Sequence, residues 1–239
     1  MNDMFQGLSI ADIDAVVRSI ETLGYGVIKN GLSEAVLAKT CRFVEDRVRA
    51  NHGEYLHFTG AEAVAGTLLQ DLSESKNFQN VCRSIYERGV SPSPPPPRFH
   101  MVLRCLAGAS GQRHAYYFHY DSYVLTALAP VIIPTEGQTG DLILFPNVRR
   151  IRRHYVTNLF DKICLDNPVT QWALRTGVRM GWLKPIRLKM EPGNIYLFWG
   201  CRTLHTNEPC DPDKIRSTAL MHYADPHAHS WLRQKLGRA

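Results

Sequence analysis

Four residues stand out for the chemistry their types and spacing allow: His119 and Asp121 in "FHYDSY", and far downstream His205 in "TLHTNEP" and Arg216 in "KIRST". Side chains at i and i+2 of an extended segment point to the same side, so His119 and Asp121 can grip one ion while Tyr120 points elsewhere. An isolated His-x-Asp is a weak signal, equally readable as two polar residues where a loop meets a strand. His205, just beyond the apolar run "GNIYLFWG", changes the reading. Two histidines and one carboxylate on one face of a metal leave its other positions open, an arrangement that suits non-haem Fe(II). Arg216 follows His205 by eleven residues and opens another β-type run.

The elements that must position these residues divide the chain into an α-rich first third and a β-rich remainder. Leu8 to Leu23 has apolar residues at helical spacing with Ser9 as N-cap, and "GYGVIKNG" predicts a short strand between glycines. Ser33 caps a second helix to about Ala50, and a further helix is expected over Ser75 to Arg88. "SPSPPPPR", Ser91 to Arg98, is too proline-rich for the interior of a helix or sheet and predicts an extended connector. The period then changes. Phe99–Gly108, Tyr123–Pro134, Gly140–Pro146, Ile186–Met190, Gly193–Gly200 and Arg216–Ala224 are short β-type runs bounded by turn residues, which predicts a sandwich or jelly roll. Between two of them lies a mainly helical insertion, and such an insertion is commonly a lid or wall.

Composition narrows the class. The 239 residues are 44% hydrophobic and 10% aromatic, enough for a sizeable core. No apolar run reaches the roughly 20 residues of a membrane helix, and "MNDMFQGLSIAD" lacks the pattern of a signal peptide, so a cytoplasmic location is expected. Six scattered cysteines without a CxxC pair fit reduced thiols better than a disulfide framework or zinc site. Charge is uneven: between Val148 and Lys189, ten basic residues against two acidic ones give +8, while the whole chain nets +6. This stretch is either a solvated helix face or a surface that attracts an anionic partner.

Taken together, these features resemble the Fe(II)/2-oxoglutarate-dependent dioxygenases, specifically their phytanoyl-CoA-dioxygenase-like branch. The resemblance rests on "LGYGVIKNGLS" after the first helix, His119 and Asp121, "GQTGDLILFPN", "PGNIYLFWG" before His205, and Arg216-Ser217-Thr218. It implies a double-stranded β-helix with flanking helices as a single catalytic domain. Residues 1–90 would pack on the barrel, 98–147 and 186–224 would form its core, and 148–185 would be the insertion. It implies that His119, Asp121 and His205 hold Fe(II), and that 2-oxoglutarate and O2 are cosubstrates. Arg216 would grip the remote carboxylate of 2-oxoglutarate through two parallel hydrogen bonds, with Thr218 adding a hydroxyl and Ser217 pointing outward. Arg104 is a further candidate for the other carboxylate or for the substrate, and Tyr116, Tyr117 and Phe118 either wall the site or belong to the core.

Asp121, where halogenating relatives need a vacancy, implies hydroxylation or a related desaturation or cyclisation. "LFPNVRR" departs from the P-G-S-H turn of many relatives, which bears on the substrate and not on the iron residues. His100, His114, His222, His227 and His229 are assigned no metal, the last two being expected in a solvated tail. The expected substrate is a small, anionic and possibly carrier-linked metabolite, drawn in by some of Arg149, Arg150, Arg152, Arg153, Arg175 and Arg179. Tyr155, Phe160, Trp172 and Trp182 are expected mainly to pack the insertion on the barrel. Two other classes remain in view: an enzyme of the same chemistry acting on nucleic acid, for which no groove-reading or base-stacking element is present, and a non-catalytic cupin-like binding protein.

Overall fold

Ser9 begins the ordered chain's first helix as the sequence predicts. Its hydroxyl accepts from the Asp12 N–H, while the Asp12 carboxylate accepts from the Ser9 N–H, a reciprocal cap. The structure, a computed structural model, describes residues 5–236. The first four residues of "MNDMFQGLSIAD" and of the 1–90 region therefore lie outside the described residues. Helix α1 (Ile10–Leu23), strand β1 (Gly26–Ile28) and helix α2 (Glu34–Ala50, capped by Ser33) follow the expected order. Strand β2 (Leu56–Thr59) and helix α3 (Leu68–Glu74) are additions to the expected elements, and helix α4 (Lys76–Gly89) starts from Ser75 as its cap. Residues 91–98 form no helix or strand, and the Pro95 carbonyl accepts from the Tyr223 hydroxyl, so the proline run is a connector pinned to the sheet it enters.

Beyond it come β3 (Phe99–Leu106), α5 (Gly108–Arg113), β4 (Leu125–Ile132) and β5 (Leu142–Phe145). The insertion is a helix pair, α6 (Tyr155–Asp166) and α7 (Pro168–Arg179), with Asn167 capping the second. Then follow β6 (Ile186–Leu188), β7 (Ile195–Trp199), β8 (Leu204–Asn207), β9 (Arg216–Tyr223) and a short α8 (Trp231–Leu236). Strands pair antiparallel in a six-stranded sheet, β1-β7-β4-β9-β3-β2, and a three-stranded sheet, β6-β5-β8. An isolated bridge between His119 and His205 extends the smaller sheet by the segment carrying His119.

Strand period two explains how one sheet serves two purposes. On β3, β4, β7 and β9 of the larger sheet, odd-numbered residues, Leu103, Ala127, Leu197, Ala219 and Met221 among them, pack with Val16, Ile20, Val44, Leu69 and Phe78 of the four N-terminal helices. Even-numbered residues face the smaller sheet: Leu128, Tyr196 and Phe198 meet Leu142 and Leu144 there, closing one end of the space between the sheets. The other face of the smaller sheet is covered by the insertion, where Ile143 and Leu204 pack with Phe118, Leu165 and Val178. Ser217 obeys the same alternation. It points away from the cavity, though into the buried helix-facing layer beside Cys105 and not to solvent, because helices cover that face.

Among the described residues no helix is long and apolar enough to cross a membrane. All six cysteines are free. The end of α4 is a tight spot: a Cβ on Gly89 would lie 2.4 Å from the ring of Trp199, which is fully buried and held by its Nε1–H to Glu21. Gly89→Ala is therefore expected to lower unfolding free energy by about 1–3 kcal/mol, since overpacking outweighs the helix-propensity gain. Urea denaturation checks this, and equal or raised stability would contradict it.

Candidate metal centre and anion pocket

The bridge between His119 and His205 sets the geometry of the site. Each backbone N–H donates to the other's carbonyl, at 3.0 and 3.1 Å, so the two side chains lie side by side with ring centroids 4.3 Å apart. Each imidazole has its Nδ1 against a backbone carbonyl two residues earlier, Tyr117 for His119 and Thr203 for His205, both at 2.9 Å. That contact sets the Nδ1–H tautomer and leaves the lone pairs of both Nε2 atoms free for a metal. They aim at Asp121 Oδ1, at 3.8 and 3.5 Å. All three ligand atoms lie within 4.8 Å of one another, so His119, Asp121 and His205 can hold one divalent cation.

The second carboxylate oxygen is held from behind. Thr126 donates to Asp121 Oδ2 at 2.5 Å and also contacts His222 Nδ1 at 3.1 Å; His222 Nδ1 is 3.6 Å from the same oxygen. Gly200 completes this support, for a Cβ there would lie 2.4 Å from both Asp121 Oδ2 and Thr126 Oγ1. Burial by itself would raise the Asp121 carboxyl, but His205, His222 and His119 around it hold it well below the usual range. Burial, reinforced by His205, pushes His119 down to about 3. For His205 burial acts downward too, but Asp121 outweighs it and the net shift is upward. An ionised carboxylate beside a neutral His119 is the form in which these groups bind metal.

The triad stands between two cavities. The inner one is narrow and lined by His119, His205, Arg104, Arg216, Thr218 and Asn207; the outer one, about 400 Å³, shares His119 and Arg104 and adds Asp121. Arg216 is 2% exposed, and its Nε has no hydrogen-bond partner among the described residues. Burial and the nearby Arg104 push it down to about 10, so it stays charged at neutral pH. Thr218 lies two residues along β9 and opposite Arg104 in the ladder. Arg104 donates Nη2 to the His114 carbonyl at 2.8 Å, while its Nε is buried without a partner. Gly140 has a left-handed backbone (φ 72°), and a Cβ there would fall 2.3 Å from Arg216 Cδ, so the "GQTGD" turn lies directly against the arginine stem. A buried guanidinium with open donors fits a carboxylate, and the donor set beside it fits a non-haem iron.

The two readings open for the aromatics before His119 divide among them: Tyr117 lines the outer cavity and donates to Asp166, while Tyr116 and Phe118 belong to the packing beneath the insertion. Other expectations need correction. His227 is buried against Tyr155, because the chain after β9 folds back; only His229 is exposed. Most of the insertion's arginines are structural. Arg149 donates to the Cys201 carbonyl, Asp161 and Asn158, and lies 3.8 Å from the Tyr120 ring centroid; Arg152 shares Asp161, Arg175 donates to the Tyr116 carbonyl, and Arg179 lies over the Tyr116 ring. Arg150 and Arg153 are exposed. Of the insertion's four large aromatics only Tyr155 packs; Phe160, Trp172 and Trp182 are 67%, 66% and 73% exposed.

Sequence reasoning missed three residues that build the site. Gln171 of α7 is buried and pairs with the Phe118 backbone in both directions, at 3.0 and 2.8 Å, anchoring the segment that carries His119. Thr126 reads in the sequence as one more residue of an apolar strand. Lys162 of α6 reaches into the outer cavity, where it donates to Ser122 at 2.7 Å.

No family model matches this chain, and no curated protein does. Solved structures do. The non-haem α-ketoglutarate-dependent epimerase SnoN from nogalamycin biosynthesis is 13% identical, over 91% of this chain and 84% of that one, with a TM-score of 0.56. A Trichoplax adhaerens prolyl hydroxylase, solved with a hypoxia inducible factor peptide, is 15% identical over 91% and 92%, with a TM-score of 0.58. A Pseudomonas putida prolyl-4-hydroxylase is 11% identical over 89% and 98%, with a TM-score of 0.57. At these identities the likeness is one of fold: the chain has the double-stranded β-helix with flanking helices found in α-ketoglutarate-dependent enzymes.

Metal titration tests the centre. The purified protein is expected to bind one Co(II) or Fe(II), and His119→Ala or His205→Ala to abolish binding while circular dichroism stays unchanged. Thr126→Val, which removes the support of Asp121, is expected to weaken metal binding about 10–100-fold. Unchanged affinity in either histidine variant would contradict the assignment.

Proposed function

We propose that this chain is an Fe(II)- and 2-oxoglutarate-dependent oxygenase that hydroxylates a small anionic metabolite, free or carrier-linked, with release of succinate and CO2. One observation carries the reading: two of the three candidate metal ligands, His119 and His205, line the same narrow cavity as the buried Arg216 guanidinium, whose Nε has no hydrogen-bond partner among the described residues. His119, Asp121 and His205 would hold the iron, and Arg216, with Thr218, the remote carboxylate of 2-oxoglutarate. Arg104 would meet the other end of the cosubstrate or the substrate. Iron with 2-oxoglutarate and O2 would supply an oxidant able to take hydrogen from an unactivated C–H bond. The chain's own part is to bind and aim. The Nδ1 contacts orient the imidazoles, Thr126 fixes Asp121, and Leu128, Leu142 and Phe198 give the inner cavity an apolar end.

We take the 148–185 insertion as the outer wall of this single catalytic domain, with α6 presenting Lys162 to the cavity. The motif order supports placing the chain in the phytanoyl-CoA-dioxygenase-like branch, and its free thiols support a cytoplasmic location. A nucleic-acid substrate is disfavoured, because Arg149, Arg152 and Arg175 of the basic stretch are spent on internal contacts. A non-catalytic cupin-like binding protein is disfavoured, because it has no need for His119, Asp121 and His205 together with Arg216.

Purified protein with Fe(II), 2-oxoglutarate and ascorbate is expected to release succinate, even slowly without substrate, and to stop when iron is chelated. Arg216→Ala should weaken 2-oxoglutarate binding at least tenfold while metal affinity is retained, in line with about 2–5 kcal/mol for a buried charged contact. Iron-independent turnover, or an unchanged 2-oxoglutarate KM in the variant, would refute this reading.

A further inference from the structure

The outer cavity has a composition of its own. Three rings stack on one another along one side: His100 and Tyr123 lie 5.4 Å apart at 8°, Tyr123 and His222 5.5 Å apart at 21°, and His100 and His222 5.9 Å apart at 29°. Two more tyrosines, Tyr117 and Tyr120, line the same space, and Arg149 covers one face of the Tyr120 ring. A stack of near-parallel rings favours a further planar π-system, stacked on it or set edge to face against it. Lys162 enters from α6, half-buried, and its ammonium donates to Ser122. Among the described residues no carboxylate lies within ion-pair distance of it. Asp166, on the same wall, is engaged by the Tyr117 hydroxyl. A partly desolvated cation with donors to spare beside an aromatic wall is half of a recognition site for an anion. Burial pushes the Lys162 ammonium down from its ordinary value, and an incoming negative charge would relieve that.

We infer that the outer cavity takes a planar aromatic carboxylate, its anionic group on Lys162 beside Ser122 and its ring against the His100–Tyr123–His222 stack. The inference rests on the oxygenase reading, since it names the substrate class for that site, and a cavity of about 400 Å³ suits one or two fused rings. The charge comes from Lys162, the basic member of the three insertion residues that line the cavity beside Leu165 and Asp166, and not from the insertion's arginines, most of which are tied down. Arg104 also borders this space, but its Nη2 is held by the His114 carbonyl.

Calorimetry on protein loaded with Zn(II) and saturating 2-oxoglutarate tests the inference without turnover. The probes are 2-naphthoate, 2-naphthamide and the saturated decahydro-2-naphthoate. Naphthoate is expected to bind at least tenfold more tightly than either of the others. Lys162→Met should bring it down to the level of the amide, and Lys162→Arg should retain most of the preference. The inference is overturned if the amide binds as well as the acid, if the saturated acid matches the aromatic one, or if Lys162→Met keeps the acid preference. Absence of naphthoate binding at millimolar concentration overturns it as well. 2-Oxoglutarate binding to the same wild-type preparation is measured first. Its failure would sink the oxygenase reading, and the acid–amide comparison on metal-free protein would still decide for or against the carboxylate site in the outer cavity.

Discussion

Burying a guanidinium costs on the order of several kcal/mol, and β9 carries one at its first position, its Nε without a hydrogen-bond partner among the described residues. Much of the surrounding structure exists to hold it there. Gly140 lets a turn close on the arginine's methylenes, β3 pairs along all eight residues of β9, and β4 flanks its other edge. With both edges paired, β9 is anchored at the centre of the larger sheet, and the charge at its end is aimed into the inner cavity. On the proposed function, the remote carboxylate of 2-oxoglutarate would offset that cost.

The same strand links the anion pocket to the metal centre. Its cavity-facing residues run Arg216, Thr218, Leu220, His222, so the two polar ends are separated by the pleat and divided by a leucine. His222 reaches Thr126, Thr126 holds one oxygen of Asp121, and the other oxygen faces the two free Nε2 atoms. Gly200 leaves room for this arrangement where any side chain would collide with it. The odd-numbered residues of the same strands meanwhile build the helix-facing core, so a register slip of one residue would destroy core and site together.

Much of this was legible in the sequence because it depends on local periodicity. Ser9, Ser33 and Ser75 announce their helices, the apolar runs around Leu103, Leu128 and Leu197 are bounded by turn residues, and His-x-Asp followed by a distant His and Arg reads as a candidate metal centre with a candidate anion pocket. What stayed hidden depends on tertiary contact. The four residues of β8 are too short to show a period, and the strand exists because β5 and the His119 segment pair with it. Thr126 and Gln171 look ordinary until the fold brings them to Asp121 and Phe118. The charge of 148–189 was visible, but composition does not tell a guanidinium bonded to a carbonyl from one facing solvent. It also left Phe160, Trp172 and Trp182 to be read as packing residues, whereas they are exposed on the insertion.

The central claim is that one small molecule bridges the metal centre and Arg216. A crystal structure of the protein grown anaerobically with Fe(II) and 2-oxoglutarate, with anomalous data at the iron edge, tests it most directly. The account predicts a single anomalous peak among His119, Asp121 and His205, and continuous ligand density from that peak to the Arg216 guanidinium. An iron peak elsewhere, or 2-oxoglutarate bound with Arg216 still unpartnered, would contradict it.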